Sequence, residues 1–184
     1  RVTRCRGRLL LEVDGRPPLA VAREILGALP EEERELAASS LFLGISMDEL
    51  AENPEAGGFL VRNLIGMDPE SGALAVGEGL RVGRTVRFHM RDARSSAQDL
   101  EAVLSSFRES GESAGARGAL LFSCLGRGMP LYGRADHDTD LFRSILGDLP
   151  LGGFFSSGEI GPVGGTTYLH GYTSSFGIFR EPKT

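Results

Sequence analysis

Residues 119–133 read ALLFSCLGRGMPLYG, and this stretch joins a core strand to a candidate site. The strand begins as an apolar run made of Leu120, Leu121 and Phe122. Polar and small residues then follow abruptly, with a thiol at Cys124 and a guanidinium at Arg127. Glycines on both sides of Arg127 would let the backbone approach a ligand closely. The stretch therefore predicts a central strand over 118–123 that ends beside a binding site.

The flanking sequence alternates strand and helix patterns. Apolar residues at helical spacing predict helices over 18–29, 95–110 and 136–147. Short apolar or alternating runs predict strands over 7–13, 40–46, 57–68, 84–92, 151–155, 163–169 and 173–179. Short turns favour antiparallel pairing, so we expect an α+β layered fold whose mixed, mainly antiparallel sheet packs with helices. Leu120, Leu121, Phe122, Phe154 and Phe155 are expected in or beside the core.

Composition limits the class of protein. The chain has 184 residues, 41% of them hydrophobic, which is enough for one domain with a sizeable core or for two small lobes that share one. A net charge of -5 argues against a nucleic-acid partner. No apolar run approaches the roughly 20 residues of a membrane span, and the N-terminal stretch is too polar for a secretory signal. We therefore expect a cytoplasmic protein with no membrane partner, in which Cys5 and Cys124 are reduced thiols.

Several common site chemistries lack their motifs. The segment GEGLRVG at 77–83 does not fit the dinucleotide fingerprint, and GPVGGTT at 161–167 has no lysine for a phosphate loop. The three histidines, His89, His137 and His170, are scattered, with no cysteine pair nearby. We therefore expect no metal site and no cofactor.

Two glycine-rich segments, SCLGRG at 123–128 and SSGEIGP at 156–162, form the candidate site. Each follows an apolar strand, so we expect them to meet at one end of the sheet. Arg127 and Glu159 would then either bind a zwitterionic ligand through its carboxylate and ammonium groups or pair with each other. The candidate ligand-binding residues are Ser123, Cys124, Gly126, Arg127, Gly158, Glu159, His170 and Thr173. For Cys124 the alternative is an inert buried thiol, and for His170 a satisfied core histidine.

The motifs LFSCLGRG, LPLGGFFSSGEIGPVGG and LHGYT, in that order and spacing, resemble the C-terminal domain of the FIST family, named for F-box and intracellular signal-transduction proteins. FLVRNLIGMDPESGAL and VRFHMRDARSSAQDL fit the same pattern. The resemblance implies one FIST C-terminal domain over 1–184 that senses a small, amino-acid-like ligand in signal transduction. Relatives carry an N-terminal FIST domain ahead of it, which we expect to be absent from this chain. That domain, or another signalling protein, is the implied partner.

Three functions remain open from the sequence. The first is an intracellular sensory domain that binds a small ligand without catalysis. The second is a cysteine-dependent enzyme in which Cys124 is the nucleophile and His170 the base, a function that we do not expect. The third is a protein-interaction module, which an exposed and contiguous apolar patch would favour.

Overall fold

Five helices and eleven strands form the described part of the chain in this computed structural model, which covers residues 1–48, 56–163 and 165–181. They lie in two compact units, Arg1–Arg91 (the N-terminal unit) and Asp92–Thr184 (the C-terminal unit). Each unit combines helices with strands, and all but one of the strand pairs are antiparallel. The expected α+β fold with a mainly antiparallel sheet arrangement is confirmed.

The N-terminal unit contains an antiparallel sheet of six strands. These are β1 Val2–Arg6, β2 Leu9–Val13, β3 Leu41–Ser46, β4 Phe59–Met67, β5 Leu74–Val76 and β6 Val86–Met90, in the order β1-β2-β5-β4-β3-β6. The N–H of Val2 donates to the carbonyl of Arg84 at 2.9 Å, and the N–H of Gly83 donates to the carbonyl of Val2 at 2.8 Å. The edge strand β1 therefore lies beside the segment that enters the opposite edge strand, and the sheet curls around its own interior.

That interior is apolar. It consists of Val2, Leu10, Val13, Leu19, Leu43, Ile45, Leu74, Val76 and Leu80. Helix α1 (Pro18–Gly27) packs beside β2, and helix α2 (Glu31–Ser40) packs beside β3 and β6. Among the described residues of this unit, Ser46 is the one buried polar side chain, and no charged side chain is buried.

The C-terminal unit is built around a three-stranded sheet. Its elements are α3 Ala93–Glu109, β7 Ala116–Cys124, α4 Met129–Tyr132, α5 His137–Leu146, β8 Leu151–Ser156, β9 Glu159–Val163, β10 Thr166–His170 and β11 Ser174–Arg180. Strand β7 is central, antiparallel to β11 on one side and parallel to β8 on the other. This confirms the expected central strand. Strands β9 and β10 form a separate antiparallel pair.

Helices α3 and α5 pack together on one face of the three-stranded sheet. The buried residues of this core are Leu100, Leu104, Ala119 and Phe142. Helix α3 begins at Asp92, whose carboxylate accepts a hydrogen bond from the N–H of Ser95 at 2.9 Å and so caps the helix. The sequence predicted this helix over 95–110, so its predicted start lies three residues after the observed cap.

Three elements of the N-terminal unit were not predicted. Helix α2 has the sequence EEERELAASS, which has few apolar residues and follows a proline that also reads as a helix end. Strand β5 is three residues long and follows a turn, and strand β1 is mainly polar. In each case tertiary pairing, rather than local pattern, stabilises the element.

The expected core residues are only partly buried. Leu121 is buried and faces the helices, whereas Leu120 is exposed. Phe154 and Phe155, expected in or beside the core, are 63% and 57% exposed, so that expectation is wrong for them. Phe154 aligns with Phe122, and their rings meet edge to face at 5.2 Å between centroids on the sheet face away from α3 and α5. An apolar run identifies a strand but does not tell which of its faces the helices cover.

Candidate functional site

The two glycine-rich segments meet at the same end of the three-stranded sheet. Because β7 and β8 are parallel, both segments follow carboxyl ends of strands. Cys124 aligns with Ser156, and the N–H of Leu125 donates to the carbonyl of Ser156 at 2.9 Å. The expectation that they meet is therefore confirmed.

Arg127 is buried, and four hydrogen bonds join its guanidinium to side-chain and backbone acceptors within the unit. Nε and Nη2 donate to the two carboxylate oxygens of Asp138, at 2.6 and 3.0 Å. Nη2 also donates to the hydroxyl of Tyr132 at 2.6 Å, and Nη1 donates to the carbonyl of Tyr172 at 3.3 Å. The ionic partner of Arg127 is thus Asp138, and the alternative in which Arg127 pairs with Glu159 is wrong.

Asp138, in the first turn of α5, is the centre of this network. Besides Arg127, it accepts hydrogen bonds from the hydroxyls of Ser174 at 2.7 Å and Ser123 at 3.3 Å, and its Oδ1 lies 3.0 Å from Nδ1 of His137. Burial alone would raise the pKa of Asp138, but the hydrogen bond and charge of Arg127, with the bonds from Ser174 and His137, lower it to about 2. The carboxylate is therefore ionised at neutral pH.

Glu159 belongs to a second network with neutral donors. Its side chain is 1% exposed. Oε1 accepts from the hydroxyl of Ser156 at 2.9 Å, and Oε2 accepts from the hydroxyl and N–H of Thr173 at 3.1 and 3.4 Å. Arg127 and Glu159 thus each have hydrogen-bond partners inside the protein, in two separate networks.

The turn between β10 and β11 links the two networks. Tyr172 accepts from Arg127, Thr173 donates to Glu159, and Ser174 donates to Asp138. Tyr172 has a φ of +63°, a left-handed conformation that is uncommon for a residue other than glycine. Tyr172 and Thr173 of the LHGYT motif, with Ser174 directly after it, therefore bind all three buried charged side chains of the described C-terminal unit.

A cavity of about 590 Å³ opens beside this network in the C-terminal unit. Strand β8, the segment after β7 and the beginning of α5 surround it. Its lining residues include Leu121, Ser123, Leu125, Arg127, Met129, Pro130, Asp136, His137, Asp138, Gly153, Phe154 and Phe155. Of the predicted ligand-binding residues, Ser123 and Arg127 line the cavity.

The other predicted residues lie outside the cavity lining, namely Cys124, Gly126, Gly158, Glu159, His170 and Thr173. His170 places Nε2 3.0 Å from the carbonyl of Gly161, and the thiol of Cys124 is buried. No hydrogen bond joins Cys124 to His170 in the part of the chain that the structure describes. The geometry therefore gives no support to these two residues as a nucleophile and base.

Gly153 shapes the β8 wall of the cavity. Its φ is +154°, and a Cβ there would overlap the carbonyl oxygen of Leu121, the residue opposite it on β7. Gly128, with a φ of +60°, lies against the ring of Phe155, where a Cβ would come within 3.4 Å. At both positions the backbone conformation and close approach favour glycine.

The sequence analysis missed Asp138, His137 and Tyr132 as site residues. His137 and Tyr132 stack with their rings nearly parallel, 3.5 Å between centroids and 8° between planes. Asp138 follows Asp136 in the segment RADHDTD, where acidic residues are typical of a helix N-terminus and gave no separate signal. Asp136 and Asp138 are the acidic residues nearest to Arg127 in the sequence, and this proximity was the available indication of its partner.

Among the described residues, no three His, Cys, Asp or Glu side chains cluster as metal ligands would. None of the described helices combines the length and apolar character needed to cross a membrane.

Comparison with known proteins identifies the family. The family model of the FIST C domain matches residues 18–162, which is most of the chain, so the protein belongs to the FIST C domain family. The chain is 44% identical over 181 residues to the uncharacterized protein Rv0628c of Mycobacterium tuberculosis, covering 98% of this chain and 47% of the relative. It is 43% identical over 182 residues to the uncharacterized protein Mb0898c of Mycobacterium bovis, covering 98% and 46%.

The chain spans about half the length of the curated relatives it matches. No solved structure gives a significant match. The FIST C domain is a family of sensory domains in signal transduction.

Proposed function

We propose that this chain is a sensory domain that binds a small molecule in the cavity between β8 and the beginning of α5. The observation that carries the proposal is the cavity itself. Its volume of about 590 Å³ lies within the range of roughly 300 to 1,000 Å³ typical of small-molecule sites. Its lining is mainly apolar, with a few polar groups held by buried hydrogen bonds, which is also typical of such sites.

The proposal places the ligand beside Arg127 rather than on it. Because Asp138, Tyr132 and Tyr172 already accept from the guanidinium, a ligand carboxylate that took two hydrogen bonds from it would have to displace one of them. Both carboxylate oxygens of Glu159 likewise already accept hydrogen bonds, from Ser156 and Thr173. An amino-acid-like ligand, which the family resemblance implies, stays a prediction, and these contacts argue for recognition by other groups.

Isothermal titration calorimetry against a panel of amino acids and of small apolar metabolites tests the proposal. Leu125→Trp adds bulk at the cavity wall, and Leu125 is already 58% exposed, so the variant should fold and lose binding of any ligand the panel identifies. Ile160→Trp is the matched control, since Ile160 is also exposed but lies outside the cavity lining. Equal loss of binding in both variants, or unchanged binding in Leu125→Trp, would contradict the cavity as the site.

A second function is favoured by the sheet face away from α3 and α5. Leu120, Phe154 and Phe179 are exposed there, and such apolar surface is typical of protein interaction sites. The partner we propose is the N-terminal FIST domain that the family resemblance implies. Titration of the chain with such a domain from a relative, compared with a Leu120→Ser/Phe179→Ser variant, separates this function from ligand binding, because both residues lie outside the cavity lining and only the interaction should weaken.

A further inference from the structure

His137 lines the cavity and uses one of its two ring nitrogens in a hydrogen bond among the described residues. Nδ1 lies 3.0 Å from the carboxylate of Asp138, and the ring stacks on Tyr132. No hydrogen bond to Nε2 occurs among the residues that the structure describes. The side chain is 12% exposed and lines the cavity, so the open nitrogen is accessible from there.

The contact with Asp138 fixes which nitrogen carries the proton. An ionised carboxylate only accepts hydrogen bonds, so in the neutral imidazole the proton is on Nδ1 and a lone pair is on Nε2. The stack on Tyr132 holds the ring plane, and Tyr132 is itself held by its bond to Arg127. His137 therefore presents a fixed hydrogen-bond acceptor to the cavity.

The rest of the lining favours an uncharged ring system. Phe154, Phe155 and Leu121 supply apolar surface. The buried charges of Arg127 and Asp138 neutralise each other through two hydrogen bonds, so the buried wall offers no uncompensated charge to an ionic ligand. Asp136 also lines the cavity, but it is exposed.

We propose that the ligand is an uncharged aromatic or alicyclic molecule that donates one hydroxyl or N–H hydrogen bond to Nε2 of His137. This inference rests on the proposed function and names the chemical class of its ligand. The apolar wall would bind the ring, and His137 would distinguish molecules that carry a donor from those that do not. A site built to accept such a bond discriminates against analogues that lack the donor, because the acceptor is then left without a partner.

The test compares 2-naphthol with 2-methoxynaphthalene, which keeps the ring but lacks the donor. The chain contains no tryptophan, so naphthalene fluorescence can be followed without interference from indole. We expect 2-naphthol to bind about tenfold more tightly than the methyl ether, the difference that one satisfied hydrogen bond typically makes.

Two variants then assign the difference to Nε2. His137→Asn keeps a donor toward Asp138 but removes the Nε2 acceptor, and His137→Phe keeps the stack on Tyr132 but removes both. Each should lower 2-naphthol affinity to that of the methyl ether and leave the methyl ether unchanged. Asp140→Asn is the control, since Asp140 lies on the same helix in an exposed pair with Arg134 and outside the cavity lining.

The outcomes distinguish this inference from the proposed function. Equal binding of both probes, or loss of discrimination in Asp136→Asn instead of the His137 variants, overturns the assignment to His137 and leaves the cavity as a ligand site. If neither probe binds, the ligand class is wrong, while the metabolite panel with Leu125→Trp still decides the proposed function on its own. If variants at His137 weaken both probes equally, the residue serves packing and the inference is also wrong.

Discussion

The two units differ in what they bury. The N-terminal unit fills the interior of its curled sheet with aliphatic side chains and buries no charged group among its described residues. The C-terminal unit has a smaller apolar core and buries Arg127, Asp138 and Glu159. Buried ionic groups contribute little net stability, because desolvation offsets most of their attraction. The difference indicates that the first unit is organised mainly for stability and the second for a site.

The largest effect is expected at the strand pair that supports the site. Gly153→Ala forces a Cβ onto the carbonyl oxygen of Leu121, so β7 and β8 must separate. We expect a loss of more than about 4 kcal/mol, or failure of the C-terminal unit to fold. Gly152→Ala is the control, since its Cβ would make ordinary contact with Leu120 at 3.7 Å and should cost less than about 1 kcal/mol.

Urea unfolding, followed by amide signals assigned to each unit, measures both changes. If Gly153→Ala and Gly152→Ala are equally mild, the tight pairing at Gly153 is wrong. Signals of the N-terminal unit provide an internal reference.

The next effect compares the stability that the buried Arg127–Asp138 pair contributes with the stability that apolar side chains contribute at the same positions. Arg127→Ala leaves Asp138 buried without its cation, so we expect a loss of about 3 to 5 kcal/mol. The double variant Arg127→Met/Asp138→Leu removes both charges and should recover most of that loss. Chemical denaturation of the wild type and the variants measures it.

In the N-terminal unit, Leu43→Ala should cost about 2 to 5 kcal/mol through the cavity it leaves, with no comparable rescue. If the double variant Arg127→Met/Asp138→Leu is no more stable than Arg127→Ala, the proposed difference between an apolar N-terminal interior and replaceable C-terminal charges is wrong.

Acid should destabilise the C-terminal unit selectively. The pKa of Asp138 is lowered from 3.8 to about 2 in the folded unit, so its contribution is present above pH 4 and is lost as pH falls toward 2. A shift of this size corresponds to about 2 kcal/mol. Denaturation across that pH range should show this loss in the wild type, and Asp138→Asn should lack it. An identical pH dependence in the variant would contradict the assignment to Asp138.

The smallest effect tests the exposed sheet face. Phe154 is 63% exposed, so Phe154→Ser should cost less than about 1 kcal/mol despite the loss of a large ring. Thermal denaturation measures this directly, with Phe142→Ala as the fully buried counterpart that should cost about 3 to 5 kcal/mol. A large loss in Phe154→Ser would restore the core position that the apolar run predicted.

The sequence predicted the central strand β7 and the meeting of the two glycine-rich segments, but it did not predict the partner of Arg127. Strand β7 and the helix α3 follow from apolar periodicity, which is a local property. The partner of Arg127 does not, because Asp138 comes from another element and is brought to it by the parallel pairing of β7 and β8. Likewise the exposure of Phe154 depends on which sheet face α3 and α5 cover, which no single strand encodes.

The turn at Tyr172, Thr173 and Ser174 has a consequence for motion. Turns on a surface commonly open within a fraction of the time that core strands need, because few contacts are broken. Here opening would remove partners from Arg127, Asp138 and Glu159 together. We expect the free energy of that opening to approach the free energy of unfolding the whole unit, so the N–H of Thr173 should exchange with deuterated solvent as slowly as the amides of β7. Amide exchange should therefore place the connection between β10 and β11 in the same cooperative unfolding unit as the core strand β7.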